Sequence, residues 1–235
     1  MPTYCEADNV PRLVAGLRAH APAGTRILVV DDGSPDGTAA VAAALPGVEV
    51  LERPRKTGLA GAYVAGFTRA LEAGAALVVQ MDADLSHDPA DVPRLLAAAA
   101  RADLVLGSRY VSGGGVAHWR PWRRAVSRAA CAYARAVLRV PVRDLTGGFK
   151  CWRADALRTI GFAGAGSQGY AFQVELTYRA LRGGLRVAEI PIVFSERREG
   201  RSKLSGRIAL EAVWRVPALR LRRPRARSGS SHYTF

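Results

Sequence analysis

Asp82 and Asp84 stand two residues apart, directly after the apolar run AALVVQ, in the stretch MDADLSHDP. Carboxylates at that spacing on a strand end project to the same side, and they repel unless a cation or a proton holds them together. A hard divalent cation is the simplest holder. Mg²⁺ takes one or two protein carboxylates and completes its shell with water and substrate phosphate oxygens. An isolated Asp-X-Asp is equally compatible with a turn in which one acid caps and the other is solvated, so the neighbours decide. Asp31 and Asp32 close a second apolar run, RILVVDD, and lead into the turn DDGSPDGT. That turn is good βα-turn chemistry, and it also leaves backbone N–H groups at a helix start open to an anionic ligand. Arg109, in GSRY, ends a third run on the same side as the acids; taken alone it reads as a surface ion pair.

Such residues need a scaffold that delivers them to one edge. Short strands are predicted at 26–32, 48–52, 76–82 and 103–107, from β-branched runs bounded by turn residues. Helical spacing is predicted between them at 9–20, 36–45, 59–74 and 91–102, with Asp8 and Asp91 as amino-terminal caps and Gly74 as a carboxyl-terminal one. Strands alternating with helices at this interval predict a parallel, doubly wound sheet, in which ligands bind beyond the carboxyl ends of the strands. Both acid pairs lie at that edge. The second half is expected to hold a long basic helix at 119–140, further strands at 146–152 and 185–194, and a helix at 170–184. Another basic helix follows at 204–223. The first βα unit is short of a strand: Pro2–Tyr4 supplies only its tail end.

The bulk composition fits one large globular domain: 235 residues, 49% hydrophobic and 23% charged. Three cysteines, Cys5, Cys131 and Cys151, show no paired spacing, which argues against a disulfide framework and for a reducing, cytoplasmic setting. The opening residues do not read as a secretory leader, and no run approaches the ~18 apolar residues of a membrane span. A net charge of +14 admits nucleic acid, an anionic membrane surface or a phosphate-rich substrate as partners. Nucleic-acid binding predicts aromatic residues interleaved with the basic tail, which lacks them before Tyr233. The acid-lined strand ends would also repel phosphate without a metal.

The motifs PTYCEADN, DDGSPDGT, GLAGAYVAGF, MDADLSHDP, GSRYVSGGG, DLTGGFKCW, YAFQVEL and EIPIVFSERREGRSK follow one another in this order. Together they resemble the family 2 glycosyltransferases, and within them the dolichol-phosphate (polyprenol monophosphate) mannose synthases, over roughly residues 2–203. The resemblance implies an α/β GT-A fold, Rossmann-like and mostly parallel, here short of most of its first strand. It implies GDP-mannose as donor, polyprenyl phosphate as acceptor, and Mg²⁺ or Mn²⁺ as cofactor. Pro2, Tyr4, Glu6, Val30 and Asp32 would line the nucleotide pocket, and Asp82, Ala83 and Asp84 would hold the diphosphate, the two acids as metal ligands. Arg109, Arg197 and Lys203 would contact donor or acceptor phosphates and, with Asp84, form the catalytic set. Arg123 and Ser127 match positions that receive the lipid phosphate.

Some relatives have Gln as a third metal ligand where this chain has Ser86, a poorer ligand that is not assigned here. His87 is expected to support or pack against the acids. Cys5 stands where relatives usually carry Asn. The alternatives are a related transferase using UDP-glucose or another nucleotide sugar, and an inactive homologue with a damaged first strand.

A phosphate monoester arrives already ionised, with a second pKa of about 6, so an inverting attack on the sugar C1 needs no dedicated base. Arg197 and Lys203 lie in the Gly-containing segment ERREGRSK, which could close over the site as a lid. The expected organisation is a catalytic domain at 1–203, a basic membrane-surface helix and tail at 204–227, and a disordered end at 228–235. Trp119 and Trp122 begin the basic helix at 119–140, a pattern suited to the membrane interface. Peripheral attachment to a cytoplasmic membrane face, directly or through a separate membrane protein, is therefore expected, with no nucleic-acid partner.

Overall fold

The structure is a computed structural model and describes residues 1–196 and 206–221. In chain order it forms β1 (Pro2–Thr3), α1 (Val10–His20), β2 (Ile27–Asp31), α2 (Thr38–Ala43), β3 (Val48–Glu52), α3 (Leu59–Glu72) and β4 (Leu77–Gln80). Then come α4 (Val92–Ala98), β5 (Leu104–Ser108), β6 (Gly115–Val116), α5 (Pro121–Leu138), β7 (Lys150–Arg153) and α6 (Ala154–Ile160). The last elements are α7 (Gly169–Arg182), β8 (Val187–Pro191), β9 (Val193–Phe194) and α8 (Gly206–Leu221).

The strands fall into the orders β1-β2-β3, β4-β7-β5-β8 and β6-β9. All pairings are parallel except those of β7, which runs antiparallel between β4 and β5. Helices cover both faces, and strand alternation assigns residues to each. Leu104, Leu106 and Trp152 join the core beneath α3 and α5 to α8, whereas Val105, Cys151 and Phe149 join the core beneath α1 and α4. This two-sided burial is why these strands are continuous apolar runs rather than alternating ones.

The predicted strands at 26–32, 48–52, 76–82 and 103–107 correspond to β2, β3, β4 and β5, with shorter ends. Gly74 ends α3 as expected. At φ +75° it closes a Schellman turn, in which Gly74 N–H donates to Leu71 O and Ala75 N–H to Ala70 O. The amino-terminal caps differ from expectation. Asp8 is exposed, and the first turn of α1 is received by the Glu6 carbonyl instead. Asp91 makes no cap bond and pairs with Arg94; the cap is Asp88, whose side chain accepts from Ala90 N–H at 2.9 Å.

The segment at 185–194 is two strands rather than one. At Ile192 the chain leaves β5, donating its N–H to Ser108 O, and its carbonyl accepts from Gly115 to begin the pairing with β6. Only residues 150–153 of the DLTGGFKCWR stretch are strand; Gly147 and Gly148 stay in the loop before it. The basic helix expected at 204–223 is α8, docked on α5 and α7 with Val216 and Leu219 in the core. The tail expected to be disordered lies outside the described residues.

Between β2 and β4, where a full first strand would sit, β1 supplies two residues only, and the sheet is divided there.

Candidate active site

β4 ends at Gln80 and hands the chain to a tight turn through Asp82, Ala83 and Asp84, with Leu85 in the left-handed region at φ +60°. Asp84 is buried, and its Oδ1 accepts from both Ser86 N–H (3.1 Å) and Ser86 Oγ (2.5 Å). Ser86 therefore shapes the turn around Asp84. Asp82 Oδ1 accepts from the Tyr63 phenol at 3.2 Å, and its backbone N–H donates to His87 Nδ1 at 3.2 Å. Burial, reinforced by the Asp82 charge, raises the Tyr63 pKa, so the phenol stays protonated as a donor.

His87 is buried between Phe149, stacked at 4.8 Å, and Phe194, edge-on at 5.2 Å. Burial lowers its pKa against the opposing pull of Asp82 and Asp84, and the neutral ring serves as an acceptor that fixes the acid turn. A Cβ at Gly148 would stand 3.4 Å from both Asp82 oxygens, so glycine keeps that approach open. No group of three His, Cys, Asp or Glu side chains suited to a metal occurs among the described residues. Two carboxylates at one strand end still fit a hard cation whose remaining ligands are water and phosphate.

The nucleotide half is built on β1 and β2. Asp31 is consumed by structure: it accepts from Thr3 Oγ1 (2.9 Å), Ser34 Oγ (2.6 Å) and Ser34 N–H (2.8 Å). Asp32 pairs with Arg53 at 2.5 Å and accepts from Thr57 and Gly58 N–H at the start of α3, where the helix dipole favours an anion. Tyr4 lies under the Lys56 ammonium, 3.5 Å from its ring centre. Glu6 donates its N–H to Thr38 and accepts from the Asn9 amide. Pro2 sits in β1, opposite Val30, whose buried side chain approaches Gly66 of α3 rather than the open strand edge.

Cys5, in the loop between β1 and α1, has φ +58°. Asn tolerates that conformation better than other side chains bearing a Cβ, a physical reason for Asn at this position. Cys5→Asn is expected to stabilise the protein by about 0.5–1 kcal/mol. A thermal melt checks this, with a rise of about 2 °C for a chain of this length.

The third cluster joins β5 to α5. Arg109 is buried and gives its Nε and Nη2 to Asp144, both at 2.7 Å, its backbone N–H to the same carboxylate, and Nη2 also to Thr146. This is a buried bidentate pair rather than a surface one. Burial pushes the Asp144 carboxyl up, but the Arg109 charge and hydrogen bonds win and hold it below the usual range. Arg123 reaches Glu196 at 2.8 Å and lies 4.3 Å from the Trp119 ring, which the Arg109 guanidinium flanks at 5.7 Å. Phe194 meets Trp119 edge-on at 5.5 Å, so an aromatic chain of His87, Phe194 and Trp119 connects the acid turn to the two arginines. Within this cluster Trp119 Nε1 and Arg123 Nε are buried donors without an acceptor among the described residues. Ser127 accepts from the Tyr110 phenol at 2.6 Å.

Trp119 is thus a core residue, not an interfacial one: it is 7% exposed, whereas Trp122 is 63% exposed. The structure brings Asp82, Ala83 and Asp84 together, and Arg109 together with Arg123. Arg197 and Lys203 lie outside the described residues. Sequence reasoning missed Asp144, Glu196 and Tyr63. Asp144 sits in the quoted DLTGGF motif, and a buried arginine requires such a partner, which was the available signal.

Residues 1–161 match the family model "Glycosyl transferase family 2". Polyprenol monophosphomannose synthase of Mycolicibacterium smegmatis is 47% identical, over 92% of this chain and 83% of its own length. Undecaprenyl-phosphate mannosyltransferase of Micrococcus luteus is also 47% identical, over 92% of this chain and 90% of its own. Among solved structures, glucosyl-3-phosphoglycerate synthase of Mycobacterium tuberculosis, in complex with Mn²⁺, UDP and phosphoglyceric acid, superposes with a TM-score of 0.70. That comparison spans 94% of this chain and 75% of the other at 18% identity, a likeness of fold alone. The family match and the close relatives agree over the strands that carry both acid pairs: the chain belongs to glycosyl transferase family 2.

Proposed function

We propose that the protein transfers mannose from GDP-mannose to a polyprenyl phosphate, giving polyprenyl phosphate mannose with inversion at C1. The observation that carries this reading is the pairing of two anion-handling sites joined by one aromatic chain. Asp82 and Asp84 stand on one side, and on the other Arg109 and Arg123, with the Trp119 and Arg123 donors that have no acceptor among the described residues. The two curated relatives are named for polyprenyl phosphate mannosylation, which supports the same reading.

In this proposal Asp82 and Asp84 hold Mg²⁺ or Mn²⁺, which when bound supplies positive charge at the departing diphosphate. Tyr63 and His87 fix the orientation of Asp82. Arg123, Ser127 and Trp119 receive the acceptor phosphate, and Arg109 adds its charge behind them. An oxygen of the ionised phosphate forms the new bond to C1 as the bond to GDP breaks. No base is needed, in keeping with a His87 whose Nδ1 is already engaged. Arg197 and Lys203 are assigned to the phosphates by the family motif.

The acceptor is a membrane lipid. No helix among the described residues is long and apolar enough to cross a membrane. Four exposed large apolar side chains, Trp122 and Val126 on α5 and Trp214 and Leu221 on α8, share two packed helices. Set among arginines, they suit peripheral attachment to an anionic surface.

The test is transfer of labelled mannose from GDP-mannose to polyprenyl phosphate in vesicles, with and without EDTA. Metal-dependent labelling of the lipid is expected. Labelling from UDP-sugars in preference to GDP-mannose would overturn the donor, and no lipid product would overturn the reaction.

Glu196 competes with the acceptor phosphate for Arg123. Glu196→Gln is therefore expected to lower the KM for polyprenyl phosphate about threefold, the scale of a partly exposed ion pair. The KM for GDP-mannose should be unchanged, and steady-state kinetics with each substrate varied checks both.

A further inference from the structure

On α5, Arg128, Cys131, Ala132 and Arg135 follow one another at i, i+3, i+4 and i+7, which sets them in one row along the helix. With Tyr110 from the loop after β5 and Arg143 from the loop before β7, they line an open cavity of about 410 Å³. That volume is in the range of small-ligand sites. Tyr110 is the wall shared with the acceptor cluster. The Arg109 guanidinium lies 5.2 Å from its ring centre and the Arg128 guanidinium 5.8 Å, and its phenol donates to Ser127.

The charge in this cavity is uncompensated. Among the described residues none of its three arginines pairs with a carboxylate, and α5 itself contains no acid. The two acids beside the cavity are engaged elsewhere. Asp144, 3.7 Å from Cys131 Sγ, is held by Arg109, and Glu189 accepts the backbone N–H groups of Arg143 and Asp144. Burial raises the pKa of the Tyr110 phenol and of the Cys131 thiol, so neither adds a negative charge. Arg128 and Arg143 are exposed, whereas Arg135 is partly buried. Its Nε is a buried donor with no acceptor among the described residues, a desolvation cost that a bound acceptor would remove.

We propose that Arg128, Arg135 and Arg143 form a second anion site, separate from the acceptor position at Arg123 and Ser127, which takes a phosphate group from a lipid headgroup or from free phosphate. Only its distinction from the acceptor position rests on the function proposed above. A guanidinium presents paired donors that match phosphate oxygens and stays charged at all working pH values. Three arginines around one cavity suit a tetrahedral anion, which offers each a different oxygen, better than a carboxylate, which has two. The same helix exposes Trp122 and Val126, which makes a bilayer one source of the phosphate.

The test is arginine modification by phenylglyoxal, mapped by peptide mass spectrometry on the full chain. It is run with inorganic phosphate, with phosphatidylglycerol vesicles and with phosphatidylcholine vesicles. Phosphate or phosphatidylglycerol is expected to slow modification of Arg128 and Arg143 about threefold or more, while the exposed Arg12 and Arg101 react as before. Arg135→Gln should raise the concentration needed for this protection about tenfold, the scale of one lost charge-assisted hydrogen bond. Arg143→Gln, an exposed change that spares the fold, should do the same for Arg128. Protection by inorganic phosphate shows that the free anion suffices, and protection by phosphatidylglycerol alone assigns a lipid headgroup; both support the site. No protection, equal protection of Arg12 and Arg101, or protection unchanged in both variants overturns it. Equal protection by phosphatidylcholine would mean burial by membrane contact, and loss of protection in Arg123→Gln would make the cavity part of the acceptor position; each overturns it too. None of these outcomes involves mannosyl transfer, so a failed transfer assay leaves them standing.

Discussion

Asp84→Asn is expected to lower mannosyl transfer by about a hundred- to a thousandfold, the loss typical when one fixed electrostatic contact to a developing charge is removed. The melting temperature should stay within a few degrees. The two outcomes separate because the observed turn role of Asp84 and its proposed cation role use different properties. As a turn former it accepts from Ser86 N–H and Ser86 Oγ through Oδ1, and an Asn side-chain carbonyl can accept both. As a cation holder it needs its negative charge, which Asn lacks. Raising Mn²⁺ should partly restore the rate if the charge serves a metal, and should do nothing if Asp84 only shapes the turn. Labelled transfer across a Mn²⁺ titration, beside a thermal melt, distinguishes these. Near-normal turnover at low Mn²⁺ would remove Asp84 from the active site.

How far the fold was legible follows from the kind of signal each element carries. β2 and β5 were readable because two-sided burial makes them short, continuous apolar runs, β3 and β4 because their β-branched residues are bounded by turn residues, and α3 because Gly74 ends it with a specific left-handed turn. The direction of β7 was not readable. Residues 150–153 carry a strand pattern but nothing local says that they run antiparallel, which long-range pairing with Leu104 and Leu77 decides. Trp119 misled for a related reason: Trp with Arg on a helix start reads as interfacial, and the ring is covered by Phe194, 75 residues later, together with Arg109 and Arg123. In the candidate site, Asp82 and Asp84 stood out from residue type and spacing alone, and Asp88 resolved to a cap. The roles of Tyr4, Glu6, Arg123 and Ser127 came from resemblance. Asp144 stood in the quoted DLTGGF motif without a role, because its meaning depends on Arg109 being buried, and burial is a property of the assembled sheet.

That burial sets the second large effect. Asp144→Ala is expected to destabilise the protein by about 3–5 kcal/mol, since removing one partner of a buried pair strands the other charge. For a chain of this length the melting temperature should fall by about 6–20 °C. Asp144 is fully buried and satisfies Arg109 Nε, Nη2 and N–H together, so water cannot replace it without opening the site. The pH dependence has a definite sign. Asp144 is held below its unfolded pKa of about 3.9, so its contribution is complete above that value and is lost as pH falls through the folded pKa. The acid-side slope of stability should therefore be shallower in Asp144→Ala than in the parent, as measured by denaturant melts between about pH 2 and 5. The double variant Arg109→Met with Asp144→Leu separates stability from function: an apolar pair should recover most of the melting temperature. Transfer should remain low, because the charge beside Trp119 and Arg123 is gone. Recovery of both would mean that the pair serves the fold alone; recovery of stability without transfer assigns Arg109 to the acceptor side of the reaction.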